Sequence, residues 1–301
     1  PALYVKLKKL DLLNYFPDTL AQYIKHITDL NRERNMKLLN QAKELNYILK
    51  ENKIDAVFIK GIGNIVEGLY DDIGSRMIGD IDIIVSEKNF KKAVKVLIDN
   101  GYDNFEKNPK LFNRHYPRLV NDKKIGAVEV HHKFLKRKSY EFNYNKIINN
   151  TQEINNFKVL SFEDQFILTI LSHQINDNGM YYKNLPLRKL FDVILLSKKI
   201  NIEIINSYND LYKPIAVFIH AINFTFGNNF NLQIKKSLTD EKYLNKIEKL
   251  LLESNYRKKH YLIMKKYIFL KNTIEYILKA FTNKYYRIWL YKEIINKLHL
   301  S

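Results

Sequence analysis

Two carboxylates within one apolar, strand-like run are the first sign of chemistry in this sequence. The run at positions 79–85, GDIDIIV, contains Asp80 and Asp82 two residues apart. In a strand, side chains at i and i+2 project from the same face, so these two carboxylates point together while Ile81 and Ile83 point into a core. Paired like charges are unfavourable without a cation between them, and Mg²⁺ commonly binds one or two protein carboxylates together with substrate phosphates.

A second strand-like run offers a third carboxylate. In GAVEVHH, positions 126–132, Glu129 and His131 share one face and His132 projects from the other. If the two strands are neighbours, Glu129 joins the aspartate pair, an arrangement that suits two metal ions clamping a phosphoryl transfer, and His131 becomes a partner of the site. The alternative is that the aspartates lie on a solvated edge and that Glu129 is an unrelated surface residue.

The elements that must position these residues follow from the hydrophobic period. Positions 18–52 have helical spacing and predict one or two helices, whereas 54–59, 79–85 and 125–131 are strand-like. Ser86 is a candidate N-cap for a helix that stops at Asn100-Gly101. From about residue 151 the pattern is helical, beginning with the capping-box spacing of Ser161 and Asp164. We therefore predict an N-terminal helical segment at 1–52, an α/β core at 53–150 and a helical domain at 151–301.

Composition limits the class of protein. The 301 residues include no cysteine, which excludes disulfides and thiolate metal sites, and no apolar run approaches the ~20 residues that cross a bilayer. We expect a cytoplasmic protein with no membrane association. The net charge of +18 fits a phosphate-rich partner, although lysine-rich compositional drift explains it equally well.

The basic charge is concentrated near the end of the sequence. Residues 257–301 contain eleven lysines and arginines and two acidic residues, a net of +9 and half of the total. This concentration favours a track for a polyanion, and we expect RNA such as tRNA as the partner.

The order of the motifs resembles a family of nucleotidyltransferases in the polymerase-β-like superfamily. The motifs are Lys60-Gly61, LYDDIGSR at 69–76, GDIDIIV at 79–85, NGY at 100–102 and VEVHHK at 128–133. The resemblance covers about residues 20–200 and implies an α+β fold, a small mixed sheet flanked by helices and followed by a helical domain. One departure is that Lys60-Gly61 replaces the usual Gly-Ser of the superfamily, and 19 positions separate Gly61 from Asp80.

The resemblance implies a metal-dependent enzyme that transfers a nucleoside monophosphate (NMP) from a nucleoside triphosphate (NTP) such as ATP and releases pyrophosphate. Asp80, Asp82 and Glu129 are then the ligands of Mg²⁺, with Mn²⁺ as the alternative metal. Glu129 could instead accept the proton of the attacking hydroxyl, and His131 joins the binding site.

The same resemblance gives roles to four residues near the first strand. Lys60 and Arg76 hold the triphosphate or stabilise charge that develops on it. Gly61 and Gly63 let the main chain approach phosphate oxygens.

Several alternatives remain open at the level of sequence. The acceptor could be RNA or tRNA, a small molecule or a protein, since the fold does not settle the acceptor. A degenerate nucleotidyltransferase that only binds nucleic acid is disfavoured by three clustered acids in a basic protein. A phosphohydrolase with Asp and His ligands is disfavoured by the scattered histidines.

Overall fold

The computed structural model describes residues 1–104, 114–227, 232, 234 and 238–298. Its strands are β1 (Val57–Ile59), β2 (Asp80–Ile84), β3 (Ala127–His131), β4 (Gln152–Ile154) and β5 (Phe157–Val159). Its α-helices are α1 (Ala2–Lys9), α2 (Asp18–Glu51), α3 (Lys60–Val66), α4 (Glu87–Asp99), α5 (Tyr144–Ile147), α6 (Phe162–Leu171), α7 (Gly179–Tyr182), α8 (Leu187–Ser197), α9 (Tyr212–Phe226), α10 (Leu238–Leu252), α11 (Ser254–Thr282) and α12 (Lys284–Leu298).

The described residues form two compact units. The first comprises residues 1–104, 118–134 and 144–165, and the second comprises 114–117, 135–143 and those described from 166 onward. The predicted division at residues 52 and 150 stays a prediction of domain organisation. None of the described helices is both long and apolar enough to span a membrane.

One mixed sheet organises the first unit. Its order is β3-β2-β1-β5-β4, with β2 parallel to β3, β1 antiparallel to β2 and parallel to β5, and β4 antiparallel to β5. The small mixed sheet flanked by helices confirms the predicted α+β class. The three predicted strands are present, but the hairpin β4–β5 was missed, so the expectation of a wholly helical chain from 151 is wrong and the helices begin at α6.

Helix α4 makes the connection that brings the acidic strands side by side. Parallel neighbours need a crossover, and α4 supplies it between β2 and β3. Ser86 caps this helix as predicted, because its Oγ accepts a hydrogen bond from the Asn89 N–H at 3.3 Å. Ala93 and Leu97 on α4 and Ile81 and Val128 on the strands are fully buried, which fixes α4 against the sheet.

The turn between β1 and α3 has an unusual main-chain conformation. Helix α3 begins at Lys60 directly after Ile59, and Lys60 adopts a left-handed φ of 58°. This conformation is uncommon for a residue with a side chain and is found where the surroundings fix it. Here the Lys60 N–H donates to Oε1 of Gln165 at 3.2 Å.

Helix α2 is a single helix that holds the long loop between α3 and β2. Asn35 donates from Nδ2 to the carbonyl oxygens of Ile73 and Arg76 at 2.6 and 2.7 Å, and Arg32 forms a two-point ion pair with Asp72. These polar groups lie on the side of α2 that faces the protein. These contacts hold the long loop between Gly61 and Asp80 in place, because they anchor it to α2 at several points.

The second unit is built from helices. Helix α9 is buried from Pro214 to Ile222, and α10 packs against it. The predicted helical pattern after residue 161 is confirmed for the described residues, and Ser161 caps α6 by accepting from the Asp164 N–H at 3.2 Å.

Candidate active site

The two acidic strands lie side by side in the register that brings their carboxylates together. Asp82 on β2 pairs directly with Glu129 on β3, and Asp80 pairs with Ala127. Asp82 and Glu129 are buried, whereas Asp80 is half-buried. The sequence prediction that Glu129 joins the aspartate pair is therefore confirmed by the strand pairing.

His131 belongs to the same cluster. Its Nε2 lies 2.8 Å from Oδ1 of Asp82 and 3.4 Å from Oε2 of Glu129, and the ring is completely buried. His132 projects from the other face, where its ring lies 4.3 Å from that of Phe90. The alternation of strand side chains thus separates the two adjacent histidines, as predicted.

Lys60 reaches the carboxylates from the first turn of α3. Its ammonium donates to Oδ1 of Asp82 and lies 3.9 Å from Oε2 of Glu129. The left-handed main chain at Lys60, held by Gln165, positions this side chain. A lysine in the predicted Lys60-Gly61 motif is therefore the counterion of the acidic cluster in this state.

Arg118 is a site residue that the sequence analysis missed. Its Nη2 lies 2.5 Å from Oδ2 of Asp80, and its Nε lies 3.2 Å from Oε1 of Glu129. The next residue, Leu119, exchanges main-chain hydrogen bonds with Val128, so a short antiparallel bridge places Arg118 beside β3. The only signal in the sequence is the basic residue ahead of a short apolar pair, which is too common to identify a site.

The two aspartates have opposite electrostatic environments. Burial raises the pKa of Asp80, and the charges of Asp82 and Glu129 raise it further. Burial alone would also raise the pKa of Asp82, but Lys60 and His131 outweigh it and hold that pKa well below its ordinary value. Asp82 is therefore ionised across the physiological range, whereas Asp80 carries the cost of crowded negative charge.

The cluster has the donor types of a divalent metal site. Within the described chain, Asp82, Glu129 and His131 can each offer one ligand atom, and these atoms lie within 4.8 Å of one another. Asp80 lies beside this trio and contacts Arg118. The predicted ligand set of Asp80, Asp82 and Glu129 stays a prediction, and the geometry adds His131 to the candidates.

The remaining predicted residues lie around the turn and the loop. Arg76 ends the anchored loop, and its guanidinium donates to the carbonyl of Met77. Gly63 is buried in α3, where an added Cβ would lie 2.5 Å from Nε2 of Gln165 and 2.8 Å from the Phe58 carbonyl oxygen. The groups that approach Gly63 closely and require glycine there are thus Gln165 and Phe58 of the protein itself.

Gly61 lies at the more open side of the same turn. A Cβ there would lie 3.2 Å from the side chain of Ile78. The phosphate-binding roles of Lys60, Gly61, Gly63 and Arg76 stay predictions.

Comparison with known proteins agrees with this geometry. Residues 1–207 match the family described as uncharacterised nucleotidyltransferase, which is more than half of the chain. The chain belongs to this nucleotidyltransferase family and is an enzyme of that class. The match confirms the resemblance drawn from the Lys60-Gly61, GDIDIIV and VEVHHK motifs.

Among solved structures, the chain resembles the solution structure of the antibiotic-resistance factor ANT(2'')-Ia, with 8% identity and a TM-score of 0.42 over 64% of this chain and 94% of that one. No curated protein matches this sequence.

Proposed function

We propose that this enzyme transfers an NMP from an NTP to an acceptor hydroxyl, with release of pyrophosphate, and that it depends on Mg²⁺ or Mn²⁺. The observation that carries the proposal is the in-register pair of Asp82 and Glu129 with Lys60 between them. A basic protein gains nothing for fold or solubility from carboxylates crowded at one point, whereas phosphoryl transfer requires such a point.

The residues present fit a divalent cation. Carboxylate oxygens are the ligands that Mg²⁺ and Mn²⁺ prefer. Asp80, Asp82 and Glu129 would hold the cation, and His131 would orient Asp82 beside it. When bound, the metal supplies charge neutralisation for the triphosphate and the attacking oxygen.

The basic side chains of Lys60 and Arg118 have a second role in this proposal. Lys60 and Arg118 neutralise the carboxylates in this structure. If a cation took over that role, both side chains would be available to bind the triphosphate. Arg76 would contact the triphosphate from the loop. Glu129, on the strand edge next to Asp82, is the candidate base that accepts the proton of the acceptor hydroxyl.

The test is incubation with each α-labelled NTP, Mg²⁺ or Mn²⁺ and a cell extract, followed by identification of the labelled molecule. Asp82→Asn and Glu129→Gln should each lower label transfer by at least roughly 10²-fold. Asp122→Asn, which changes an exposed aspartate ahead of β3, is the control and should transfer normally. Transfer at the wild-type rate in Asp82→Asn would refute the proposed site.

For the acceptor we favour RNA, and tRNA in particular. The supporting observation is a group of five exposed basic residues in the first half of α11: Arg257, Lys258, Lys259, Lys265 and Lys266. RNA phosphates bound by such residues release counterions. The logarithm of the association constant for RNA should therefore fall by roughly 0.7 to 0.9 per bound phosphate for each tenfold rise in salt concentration. The competing acceptors are small molecules and proteins, which need no such track.

Titration of tRNA at several salt concentrations tests this choice. Changing the five residues to Gln should flatten the salt slope, whereas changing five exposed lysines elsewhere should not. The control lysines are Lys88, Lys91, Lys92, Lys95 and Lys133. If both sets of changes had the same effect, a small molecule or a protein would be favoured as the acceptor instead of RNA. If the protein bound RNA but transferred no label, a nucleic-acid-binding module would be favoured over an enzyme.

A further inference from the structure

A group of lysines lies beside helix α7 in the second unit. Lys183 follows the last residue of α7, Lys213 lies in the first turn of α9, and Lys246 lies on α10. We call these residues the Lys183 cluster. Over the residues that the structure describes, none of them forms an ion pair with a carboxylate. The cluster therefore has a positive charge that its own chain leaves uncompensated.

The side chain of Lys183 is held by neutral groups. Its ammonium donates to the carbonyl oxygen of Met180 at 3.0 Å and lies 4.0 Å from the centre of the Tyr243 ring on α10. A carbonyl group and an aromatic ring attract an ammonium ion but do not neutralise it. The main chain at Lys183 also adopts a left-handed φ of 53°, a conformation that is uncommon for a residue with a side chain and is concentrated at ligand sites. The fold thus fixes a charged ammonium against the ring without giving it a counterion.

The electrostatics of the cluster favour an anion. Burial lowers the pKa of Lys183 to about 8, and the charges of Lys246 and Lys213 act in the same direction. His260, a buried residue of α11, responds to the same charges, because burial lowers its pKa and Lys246 and Lys183 lower it further. An anion near these groups would oppose both shifts, so its binding relieves repulsion between the cations.

We propose that the Lys183 cluster binds a phosphate monoester, supplied by a small phosphorylated molecule or by the terminal phosphate of a nucleic acid. Such a group has a charge of about −1.5 to −2 at pH 7, which the three ammonium groups can neutralise. A carboxylate ligand has one negative charge and would leave most of the repulsion in place. The compact ammonium of lysine suits phosphate oxygens, and the half-buried position of Lys183 strengthens the attraction relative to bulk water.

Two ordinary explanations do not cover the whole cluster. A solvated charged surface explains Lys213, which is exposed, but not Lys183, because a half-buried ammonium loses hydration that other groups must replace. Capping of α7 explains the contact of Lys183 with Met180, but it requires neither Lys213 nor Lys246. The cluster shares no residue with the five basic residues of α11 named above, and the proposal does not depend on the nucleotidyl-transfer reaction.

Acetylation by an N-hydroxysuccinimide ester, followed residue by residue by mass spectrometry, tests the proposal on the unaltered chain. Only the free amine reacts, and a bound phosphate would raise the pKa of Lys183 and cover its nitrogen. Without divalent metal, inorganic phosphate at up to roughly 10 mM should slow acetylation of Lys183 about 10-fold, the effect of raising the pKa by about one unit. Lys198, an exposed lysine after α8, is the internal control and should react at an unchanged rate. If phosphate does not protect Lys183, or protects Lys198 equally, the proposal is overturned.

A short oligoribonucleotide with a 5′-phosphate distinguishes the two sources of the phosphate. If a nucleic-acid end is the ligand, this oligonucleotide should protect Lys183 at a concentration at least about 10-fold lower than inorganic phosphate. Protection at equal concentrations would identify a small phosphorylated molecule. The same oligonucleotide without its terminal phosphate should protect less in either case, and equal protection with and without that phosphate would overturn the assignment of a phosphate monoester.

Lys246→Gln gives a second measure that leaves the left-handed main chain at Lys183 untouched. Isothermal titration with inorganic phosphate, again without divalent metal, should show an affinity about 10-fold lower than that of the wild type, the usual cost of one charge-assisted contact. Lys198→Gln is the matched control and should lose less than about 2-fold. An unchanged affinity in Lys246→Gln, or an equal loss in both variants, would overturn the Lys183 cluster as the binding site.

Discussion

The Nε2 atom of His131 lies 2.8 Å from Oδ1 of Asp82, the same oxygen that accepts a hydrogen bond from Lys60. An ionised carboxylate can only accept, so the imidazole donates from Nε2 in this state. His131 thereby fixes the orientation of the most deeply buried carboxylate of the site. A positioning role for His131, acting through Asp82, follows from this contact.

We predict that His131→Leu weakens Mn²⁺ binding by roughly 10- to 100-fold, the usual cost of losing a partner that orients a ligand. His131→Gln should restore part of the affinity, because its amide keeps an N–H donor. Isothermal titration with Mn²⁺ in the absence of NTP measures both. His132→Gln is the control, and an equal loss in that variant would show that the effect is structural.

The two aspartates should respond differently to neutralisation. Asp80→Asn relieves crowding of negative charge and breaks only a partly exposed ion pair with Arg118, so the free energy of unfolding should change by less than about 1 kcal/mol. Asp82→Asn leaves Lys60 beside a buried neutral amide and should cost roughly 3 kcal/mol. Urea unfolding without metal measures both, and equal losses would contradict the assignment of charges.

The strands and the long helices could be predicted because their hydrophobic periods are clear over many residues. The β4–β5 hairpin could not, because each strand has three residues and a three-residue alternation carries almost no signal. The left-handed turn at Lys60 could not be predicted from the sequence either. It depends on Gln165, which lies 105 positions further along the chain.

The site was predictable where its residues share a strand. Asp80 and Asp82 lie on one face of β2, and the alternation of β3 identified Glu129 and His131. Arg118 could not be found in this way, since its place depends on a single β-bridge and not on a periodic element. The general lesson is that local periodicity identifies the acids, whereas tertiary contacts identify their counterions.

Gly63 gives a test of packing beneath the Lys60 turn. Gly63→Ala would bring a methyl group within 2.8 Å of the Phe58 carbonyl oxygen, a main-chain atom that cannot move aside cheaply. We expect the free energy of unfolding to fall by about 1 to 3 kcal/mol, and transfer to fall with it. Gly79→Ala is the matched control, because nothing lies within 4 Å of its added Cβ. If both variants unfold at the same urea concentration, the tight packing at Gly63 is refuted.

Glu67 gives the fold a pH dependence that is separate from the acidic cluster of Asp80, Asp82 and Glu129. Burial raises the pKa of this carboxyl to about 8, while the neighbouring Gln165 side chain opposes the shift. The ordinary value is 4.5, so between pH 4.5 and pH 8 the folded protein retains a proton that the unfolded chain has lost. The stability that this group contributes is therefore fully present below pH 4.5 and is lost as the pH rises towards 8.

Because of Glu67, the free energy of unfolding should fall by up to about 1.4 kcal/mol per pH unit within this range. Glu67→Gln should remove this pH dependence. We expect the variant and the wild type to differ little near pH 4.5 and the variant to be the more stable at pH 8. Urea unfolding at half-unit pH steps measures the difference, with Glu51→Gln at the exposed end of α2 as the control. A constant difference between the wild type and Glu67→Gln across this range would mean that the Glu67 carboxyl is ionised in the folded protein throughout.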